Sequence, residues 1–245
     1  MSSTASWRTF ASALLLALAG CAAPPPAVPQ STSSDDFADL GNWVLESEQP
    51  ARVLAHAGAL DIDAPAGLTL WFRPRLSGAV HIEFDAVAVS AGGPHDQVSD
   101  LNVFWMASNR DGSAPFPSRR GGRFAAYDDL RTYYVGLGGN RNTTTRFRRY
   151  VGEPGNRPLR PEHDLSSPDA LLVPNQRQRI ELIADGGRVE YRRDGRPLFT
   201  FDDPSPYTCG WFALRTTWSH LRIEKLRIRA SEIRTPVRRP GCAKR

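Results

Sequence analysis

Residues Gly187–Phe199 read GRVEYRRDGRPLF, and this stretch decides the predicted fold. Two short runs rich in β-forming residues, Arg188–Arg193 and Pro197–Phe201, flank the dipeptide Asp194-Gly195. Asp-Gly between two such runs is typical of a tight hairpin turn, because both positions tolerate a positive φ. The stretch therefore predicts two antiparallel strands joined by a short turn.

The same pattern continues on both sides of this hairpin. Further strand-like runs are Leu68–Arg73, Val80–Val89, Leu101–Met106, Thr132–Leu137, Thr143–Tyr150, Arg179–Ala184, Gly210–Thr217 and Leu221–Ile228. The chain also has 20 Gly and 20 Pro residues, as expected where turns are many. In the last run the alternation slips at Glu224-Lys225, which predicts a bulge because a slip of one residue would otherwise reverse the buried face. We predict an all-β sandwich with a single domain.

The N-terminal segment has the features of a secretion signal. Arg8 precedes the apolar run 11–19, which is too short to span a bilayer as a helix. Leu18-Ala19-Gly20-Cys21 resembles a bacterial lipoprotein signal, and the resemblance implies that Cys21 becomes the lipidated (palmitate-bearing) first residue of the mature chain. The alternative is an ordinary hydrophobic signal that contains a cysteine. Because Ala22 follows the cysteine, the resemblance implies an anchor in the outer membrane.

Composition divides the chain into four segments. Residues 1–20 form the predicted signal peptide, and residues 21–36, rich in Ala, Pro and Ser, form a flexible tether. Residues 37–230 form the β-sandwich domain, and residues 231–245 form a basic tail with little to bury. Cys209 and Cys242 either form a disulfide in an oxidising compartment, which would fix the tail to the domain, or remain separate thiols.

Charge restricts the choice of partner. The formal net charge is +5, and the signal holds only Arg8, so the mature chain carries +4 (5 − 1). For a protein of the cell envelope this excess favours an acidic polysaccharide or oligosaccharide over nucleic acid. We expect a monomer that contacts the membrane through its lipid anchor. We expect no cofactor; calcium ligands are available at Asp96, Asp100 and Asp111, but their spacing does not require the ion.

The order of these strands resembles the concanavalin A-like jelly roll of many carbohydrate-active bacterial proteins. The hairpin Gly187–Phe199 and the pair Gly210–Arg215 and Leu221–Ile228 carry that resemblance. More narrowly, Tyr133–Tyr150 (YYVGLGGNRNTTTRFRRY), together with the segments PEHDL at 161–165 and RTTWSH at 215–220, resembles an uncharacterised bacterial domain family. That family occurs among secreted and lipid-anchored proteins in polysaccharide-degradation settings. The wider fold includes lyases, hydrolases, eliminases and binding modules, so it does not decide function.

The segment Tyr133–Tyr150 is the densest group of candidate binding residues. It holds four arginines, several amides and three tyrosines, and no acidic residue. Guanidinium groups bind carboxylates through two parallel hydrogen bonds, and aromatic faces stack on sugar rings. We therefore predict that Asn140, Arg146 and Arg148 bind a uronate-containing glycan. The alternative is a solvated outer strand whose arginine stems cover apolar surface.

Other candidates come from separate parts of the chain. Asp100 and Asn102 open a strand, where they either line a concave site or cap a turn. Arg215 is the best candidate to neutralise a substrate carboxylate, with a structural salt bridge as the alternative. Trp218 lies nearby on the same hairpin and is a candidate substrate-binding residue. His163, in a loop near carboxylates, is either a proton acceptor or a hydrogen-bonding residue that fixes the loop.

These residues support three functions. In the first, an envelope lipoprotein acts as a polysaccharide lyase: Arg215, Arg146 or Asn102 neutralises the uronate carboxylate, and His163 or Tyr134 removes the neighbouring proton. His220 is a further catalytic candidate. In the second, the domain is a non-catalytic glycan-binding module that uses the same arginines and tyrosines. The third is a structural sandwich of the envelope that binds no glycan.

Overall fold

The computed structural model describes residues 30–116 and 120–235, and within these residues the chain forms fifteen strands. The strands are β1 (Ser31–Asp35), β2 (Trp43–Ser47), β3 (Arg52–His56), β4 (Ala59–Ala64), β5 (Leu68–Phe72), β6 (Arg75–Ala88), β7 (Leu101–Ser108), β8 (Arg131–Gly138), β9 (Thr144–Val151), β10 (Asp164–Leu165), β11 (Gln178–Asp185), β12 (Arg188–Arg193), β13 (Arg196–Asp202), β14 (Cys209–Thr216) and β15 (Ser219–Arg234). Short 3-10 helices at Phe124–Tyr127, Pro161–His163 and Pro168–Ala170 lie in the connections. Among the helices of the described residues, none is long and apolar enough to cross a membrane.

The strands form two antiparallel sheets that pack face to face. The first sheet, called here the groove sheet, has the order β2-β5-β14-β7-β8-β9-β10. The second, the back sheet, has the order β3-β4-β15-β6-β11-β12-β13. Strand β1 also belongs to it and pairs with residues 226–230 of β15. Strand β14 pairs with β6 of the back sheet through Cys209 and Gly210 and then enters the groove sheet. The predicted all-β, single-domain sandwich is confirmed.

Both faces of the groove sheet are apolar over part of their area. Successive residues of a strand point to opposite faces, so Trp105 and Tyr133 enter the core between the sheets. Their neighbours Phe104 and Tyr134 join a second aromatic cluster on the outer face of the groove sheet. This arrangement explains why β8 is rich in aromatic residues at consecutive positions.

Residues 120–130, called here the covering loop, shield this second cluster from solvent. Tyr127 and Leu130 of the loop are fully buried in it. The buried carboxylate of Glu46 accepts hydrogen bonds from the Tyr127 hydroxyl at 2.8 Å, from Trp71 Nε1 at 3.1 Å and from the Arg120 backbone N–H at 3.0 Å. These bonds fix the loop to the sheet. The loop does not extend over the β8–β9 end of the outer face, which stays open.

The ends of the domain differ from the sequence prediction. Strand β1 lies inside the segment 21–36 assigned to the tether and pairs with residues 226–230 of β15 through its backbone. Strand β15 itself continues to Arg234, beyond the predicted domain end at residue 230. The predicted bulge is confirmed, because the register of β15 on β6 shifts after Glu224 and Lys225 has a φ of 55°. Cys21 and Cys242 lie outside the described residues.

Candidate functional site

An open groove lies on the uncovered part of the outer face, where β7, β8 and β9 meet the β14–β15 hairpin. Its volume is about 370 Å³, within the range of about 300–1,000 Å³ that small-molecule sites occupy. Six of the residues selected from the sequence line it: Asp100, Tyr134, Asn140, Arg146, Arg148 and Trp218. The strand register explains why residues so distant in sequence meet here.

Two rows of paired residues cross the groove sheet and form the floor. In the first row Arg215 pairs with Asn102, Asn102 with Gly136, and Gly136 with Arg146. Paired residues of adjacent strands project on the same face, so these polar groups lie side by side. The second row lies two residues further along each strand, on the same face. In it Ala213 pairs with Phe104, Phe104 with Tyr134, and Tyr134 with Arg148, so its centre is apolar.

At the centre of the first row, the Tyr134 hydroxyl fills the space that a side chain at residue 136 would take. Gly136 has no side chain, and a Cβ placed there would lie 2.7 Å from the Tyr134 hydroxyl and 3.3 Å from Asn102 Oδ1. Asn102 is 3% exposed and donates through Nδ2 to Asp100 Oδ1 at 3.1 Å. Its Oδ1 atom is buried and has no hydrogen-bond partner among the described residues. The unpaired Asn102 acceptor and the Tyr134 hydroxyl therefore lie close together at the centre of the floor.

Arg215 lies at the covered end of the first row, under the covering loop, and connects that loop to the sheet. It is 3% exposed and donates through Nη1 to Thr69 Oγ1 at 2.9 Å and to the Gly122 carbonyl at 2.8 Å. Its guanidinium carbon lies 4.8 Å from the ring centre of Phe124 and 5.0 Å from that of Tyr127. No carboxylate oxygen of the described residues lies within 4.0 Å of it. Arg215 is thus a buried cation stabilised by aromatic faces, and it leaves positive potential under the groove.

The rim carries three further arginines. Arg146 is bound by the Asp164 carboxylate in a two-bond pair of 2.7 and 3.1 Å, and the Arg148 guanidinium donates to the Arg157 carbonyl. Arg141 lies with its guanidinium carbon 6.0 Å from the Trp218 ring centre. These contacts hold the guanidinium groups along one side of the groove.

The tip of the β8–β9 hairpin has an unusual backbone. Asn140, Arg141 and Asn142 have φ values of 53°, 58° and 59°, in the left-handed region that non-glycine residues seldom occupy. Trp218, in the neighbouring hairpin turn, has a φ of 43° and is 43% exposed. A large aromatic side chain held in the open by a strained backbone is typical of a binding surface.

Burial changes the ionisation of two groups at the floor. Removal from water raises the pKa of the Tyr134 hydroxyl well above its usual value of 10, so the phenol stays protonated. Burial likewise raises the pKa of Asp100, against the lowering effects of Asn102 and Arg215. Both shifts favour neutral groups that donate or accept hydrogen bonds over a second negative charge in the groove.

The two predicted catalytic histidines, His163 and His220, are not among the residues that line the groove. His163 is 5% exposed, and its ring packs edge-on against Phe147 with the ring centres 4.8 Å apart. Burial lowers the pKa of His163. His220 is held between two carboxylates, with Nδ1 2.9 Å from Asp96 Oδ1 and Nε2 3.2 Å from Asp61. Neither histidine reaches the floor around Gly136, so we do not retain either in the candidate site.

The residues considered for calcium serve different turns. Asp96 accepts the backbone N–H groups of Ala91 and Gly93, and Asp111 binds Ser113 in another turn. Asp100 lies in the groove with Asn102. Among the described residues, one trio of metal-ligand types has its ligand atoms within 4.8 Å of one another: His81, Glu83 and Glu181. Arg179 already binds Glu83 at 2.6 Å and Arg229 binds His81 at 2.6 Å, so cations of the protein occupy this trio.

Of the groove residues that were not sequence candidates, three contribute to the shape or charge of the site. Gly136 has a sequence signal, because a glycine inside a strand often marks a close approach of another group. Arg141 was part of the arginine-rich segment without being selected. Phe124 belongs to the covering loop, whose sequence has no periodicity that would place it over the groove.

Comparison with known structures shows the same fold. A Bacillus subtilis protein of unknown function with a galectin-like fold is 16% identical, with a TM-score of 0.62 over 80% of this chain and 94% of that one. The carbohydrate-binding module CBM66 of Bacillus subtilis is 10% identical, with a TM-score of 0.51 over 76% and 94% of the two chains. The exoplasmic domain of VIP36 in its Ca²⁺/Man-bound form is 10% identical, with a TM-score of 0.51 over 80% and 88%. These likenesses confirm the predicted jelly-roll fold.

Sequence comparison defines the family. No curated protein sequence matches the chain significantly. The family model described as Domain of unknown function (DUF6250) matches residues 62–226, from β4 to the middle of β15. That match covers more than half of the chain and includes the floor of the groove and most of its rim, and the chain therefore belongs to the DUF6250 family.

Proposed function

We propose that the groove binds an acidic saccharide, and that the domain is a glycan-binding module. The observation that carries this proposal is the excess of fixed cations around a small open groove. Arg141, Arg146 and Arg148 line it, Arg215 lies at the covered end of its floor, and the nearby carboxylates are those of Asp100, Asp164 and Glu48.

Each part of the groove suits one part of a uronate sugar. The Arg141 guanidinium on the rim, whose recorded contact is the Trp218 ring, offers parallel N–H donors to a carboxylate. The exposed Trp218 offers an aromatic face to the sugar ring. The Asn102 carbonyl at the floor accepts a hydroxyl hydrogen bond that no described protein group supplies. Among the similar folds, CBM66 is named a carbohydrate-binding module and VIP36 is named in a Man-bound form, which supports a sugar as the class of ligand.

Elimination is the weaker candidate because a suitable base is missing from the described part of the groove. A lyase needs a group that accepts a proton beside the neutralised carboxylate. Tyr134 is present, but its raised pKa makes the phenolate costly to form, and His163 and His220 are elsewhere. Binding needs none of these proton transfers.

We also propose that the protein acts at the bacterial cell envelope. The lipoprotein-like signal ending at Cys21 supports a lipid anchor in the bacterial envelope, which we propose is the outer membrane. There an acidic polysaccharide is accessible to a tethered module, and we propose that the module acts as a monomer.

Isothermal titration of the purified chain with short oligogalacturonates and with uncharged glucose oligomers tests the function. We expect saturable binding of the acidic series alone, with affinity reduced about tenfold or more in Arg141→Gln/Arg146→Gln, as expected for the loss of charged contacts. Arg196→Gln removes an exposed arginine of the back sheet and is the matched control. Equal affinity for both series, or no effect of the double substitution, would contradict the proposal. An increase in ultraviolet absorbance from unsaturated ends during the titration would identify elimination instead.

A further inference from the structure

A second basic concavity lies at the far end of β8 and β9 from the groove. It has a volume of about 310 Å³ and is lined by Arg110, Arg131, Arg149, Val151 and Tyr207; we call it the arginine hollow. Arg131 and Gly136 are five residues apart on β8, which places the hollow about 17 Å along the strand from the floor of the groove. The two concavities are therefore separate.

Arg149 is the fixed member of the hollow. Its Nε donates to Asp203 Oδ2 at 2.6 Å and its Nη2 to the Ser205 carbonyl at 2.7 Å, while the guanidinium carbon lies 4.4 Å from the ring centre of Tyr207. Asp203 is nearly fully buried and also accepts from the Tyr133 hydroxyl at 2.7 Å. This network holds Arg149 rigidly at the end of the core.

Arg110 and Arg131 have no such counter-charge. Neither has a carboxylate oxygen of the described residues within 4.0 Å. The guanidinium carbon of Arg131 lies 5.1 Å from the Tyr207 ring centre, so it faces the same ring as Arg149. The side chains of Arg110 and Arg131 converge over Gly152, where a Cβ would lie 2.9 Å from Arg110 Cγ and 3.2 Å from Arg131 Cγ. Three cations therefore line one concavity, and among the described residues the carboxylate within 4.0 Å of any of them is that of Asp203, which binds Arg149.

Like charges that converge without a counter-ion repel each other, and an anion between them removes that cost. We propose that the arginine hollow is a binding site for a tetrahedral oxyanion, a sulfate or phosphate group, held by Arg110, Arg131 and Arg149. Donors arriving from three separate strands and loops suit a tetrahedral group, whose oxygens point in different directions. The group comes either from an ester on a larger ligand or from the free anion. This site does not depend on the function proposed for the groove.

Titration of the full chain with sodium sulfate, sodium phosphate and galactose 6-sulfate, at constant ionic strength in sodium chloride, tests the proposal. The readouts are isothermal titration and the Nε–Hε signals of the arginines by NMR. We expect saturable binding of at least one of these anions, with shifts at Arg131 and Arg149. The affinity falls about tenfold or more in Arg110→Gln/Arg131→Gln, as expected for two lost charge-assisted contacts.

The controls separate this site from general charge effects. Arg110 and Arg131 are exposed, so their replacement leaves the fold intact, which the thermal transition verifies. Arg196→Gln, which removes an exposed arginine of the back sheet, retains full anion affinity. Tighter binding of galactose 6-sulfate than of sulfate identifies an ester-bearing ligand, and equal binding identifies the free anion. Absence of saturable binding, or unchanged affinity in the double variant, overturns the proposal.

Discussion

Asn102 lies directly opposite Gly136 on the adjacent strand, and the space left by the missing side chain at Gly136 holds the Tyr134 hydroxyl near the Asn102 carbonyl. This pair makes the floor polar at its centre while the neighbouring row is aromatic. A single methyl group at Gly136 would therefore separate the ligand-binding role of the floor from its structural role.

Gly136→Ala should weaken acidic oligosaccharide binding by about tenfold or more, equivalent to about 1.4 kcal/mol. The new Cβ lies 2.7 Å from the Tyr134 hydroxyl and covers Asn102 Oδ1, so the tyrosine must move into the groove. Isothermal titration measures the loss, and chemical denaturation measures stability in parallel. Unchanged affinity would show that the ligand does not contact the part of the floor formed by Gly136 and Tyr134.

Trp218→Ala should weaken binding with little effect on the free energy of unfolding. The indole is 43% exposed, lies near Arg141 and belongs to neither core cluster, so its removal mainly deletes a stacking surface. Leu54→Ala on β3 removes an apolar side chain of similar exposure, 42%, and serves as the control. If both variants bind equally well, the sugar does not stack on Trp218.

Asp100→Asn should strengthen the binding of an acidic saccharide and remove part of its pH dependence. Burial raises the pKa of Asp100 above 3.8, so in the wild type the carboxylate gains its charge as pH rises through that raised value. An ionised Asp100 repels a uronate, although Arg215 partly offsets this. The affinity of the wild type should therefore fall as pH rises through the raised pKa of Asp100. The affinity of Asp100→Asn should remain at the higher value that the wild type has at low pH.

The control for this experiment is Asp202→Asn, in which the replaced side chain is 82% exposed on β13. A wild-type affinity that rises with pH through the same window would contradict the assignment of Asp100 to the floor.

His163→Gln should lower stability at neutral pH and reduce the loss of stability in acid. Burial lowers the pKa of the His163 imidazole, so folding favours the neutral ring. This contribution is complete above the unfolded pKa of about 6.5 and is lost as pH falls through the folded value. Denaturant titrations between neutral and mildly acidic pH measure it, and His56→Gln, an exposed position on β3, is the control. Equal acid sensitivity in wild type and His163→Gln would refute this role.

Alternation of side chains was sufficient to predict most of the sandwich. It identified the strand Leu221–Ile228 and the bulge within it, because a buried face requires a fixed register. It did not identify β1, Ser31–Asp35, since a polar edge strand pairs through backbone groups that every residue has.

The alternation of side chains along the strands also explains which site residues could be predicted. Tyr134, Arg146 and Arg148 converge because positions two apart on paired strands share a face. His163 depends instead on how its loop packs against Phe147, which local sequence does not encode. The contact of Arg215 with Gly122 has the same cause, since it requires the path of the covering loop.

The most direct test of the central claim is NMR mapping of the full chain during titration with an oligogalacturonate. We expect concentration-dependent shifts at the Gly136 amide, the Trp218 indole N–H and the Asn102 side-chain amide, with the back sheet unaffected. Shifts confined to the back sheet or to the arginine hollow, or no shifts at saturating ligand, would contradict it.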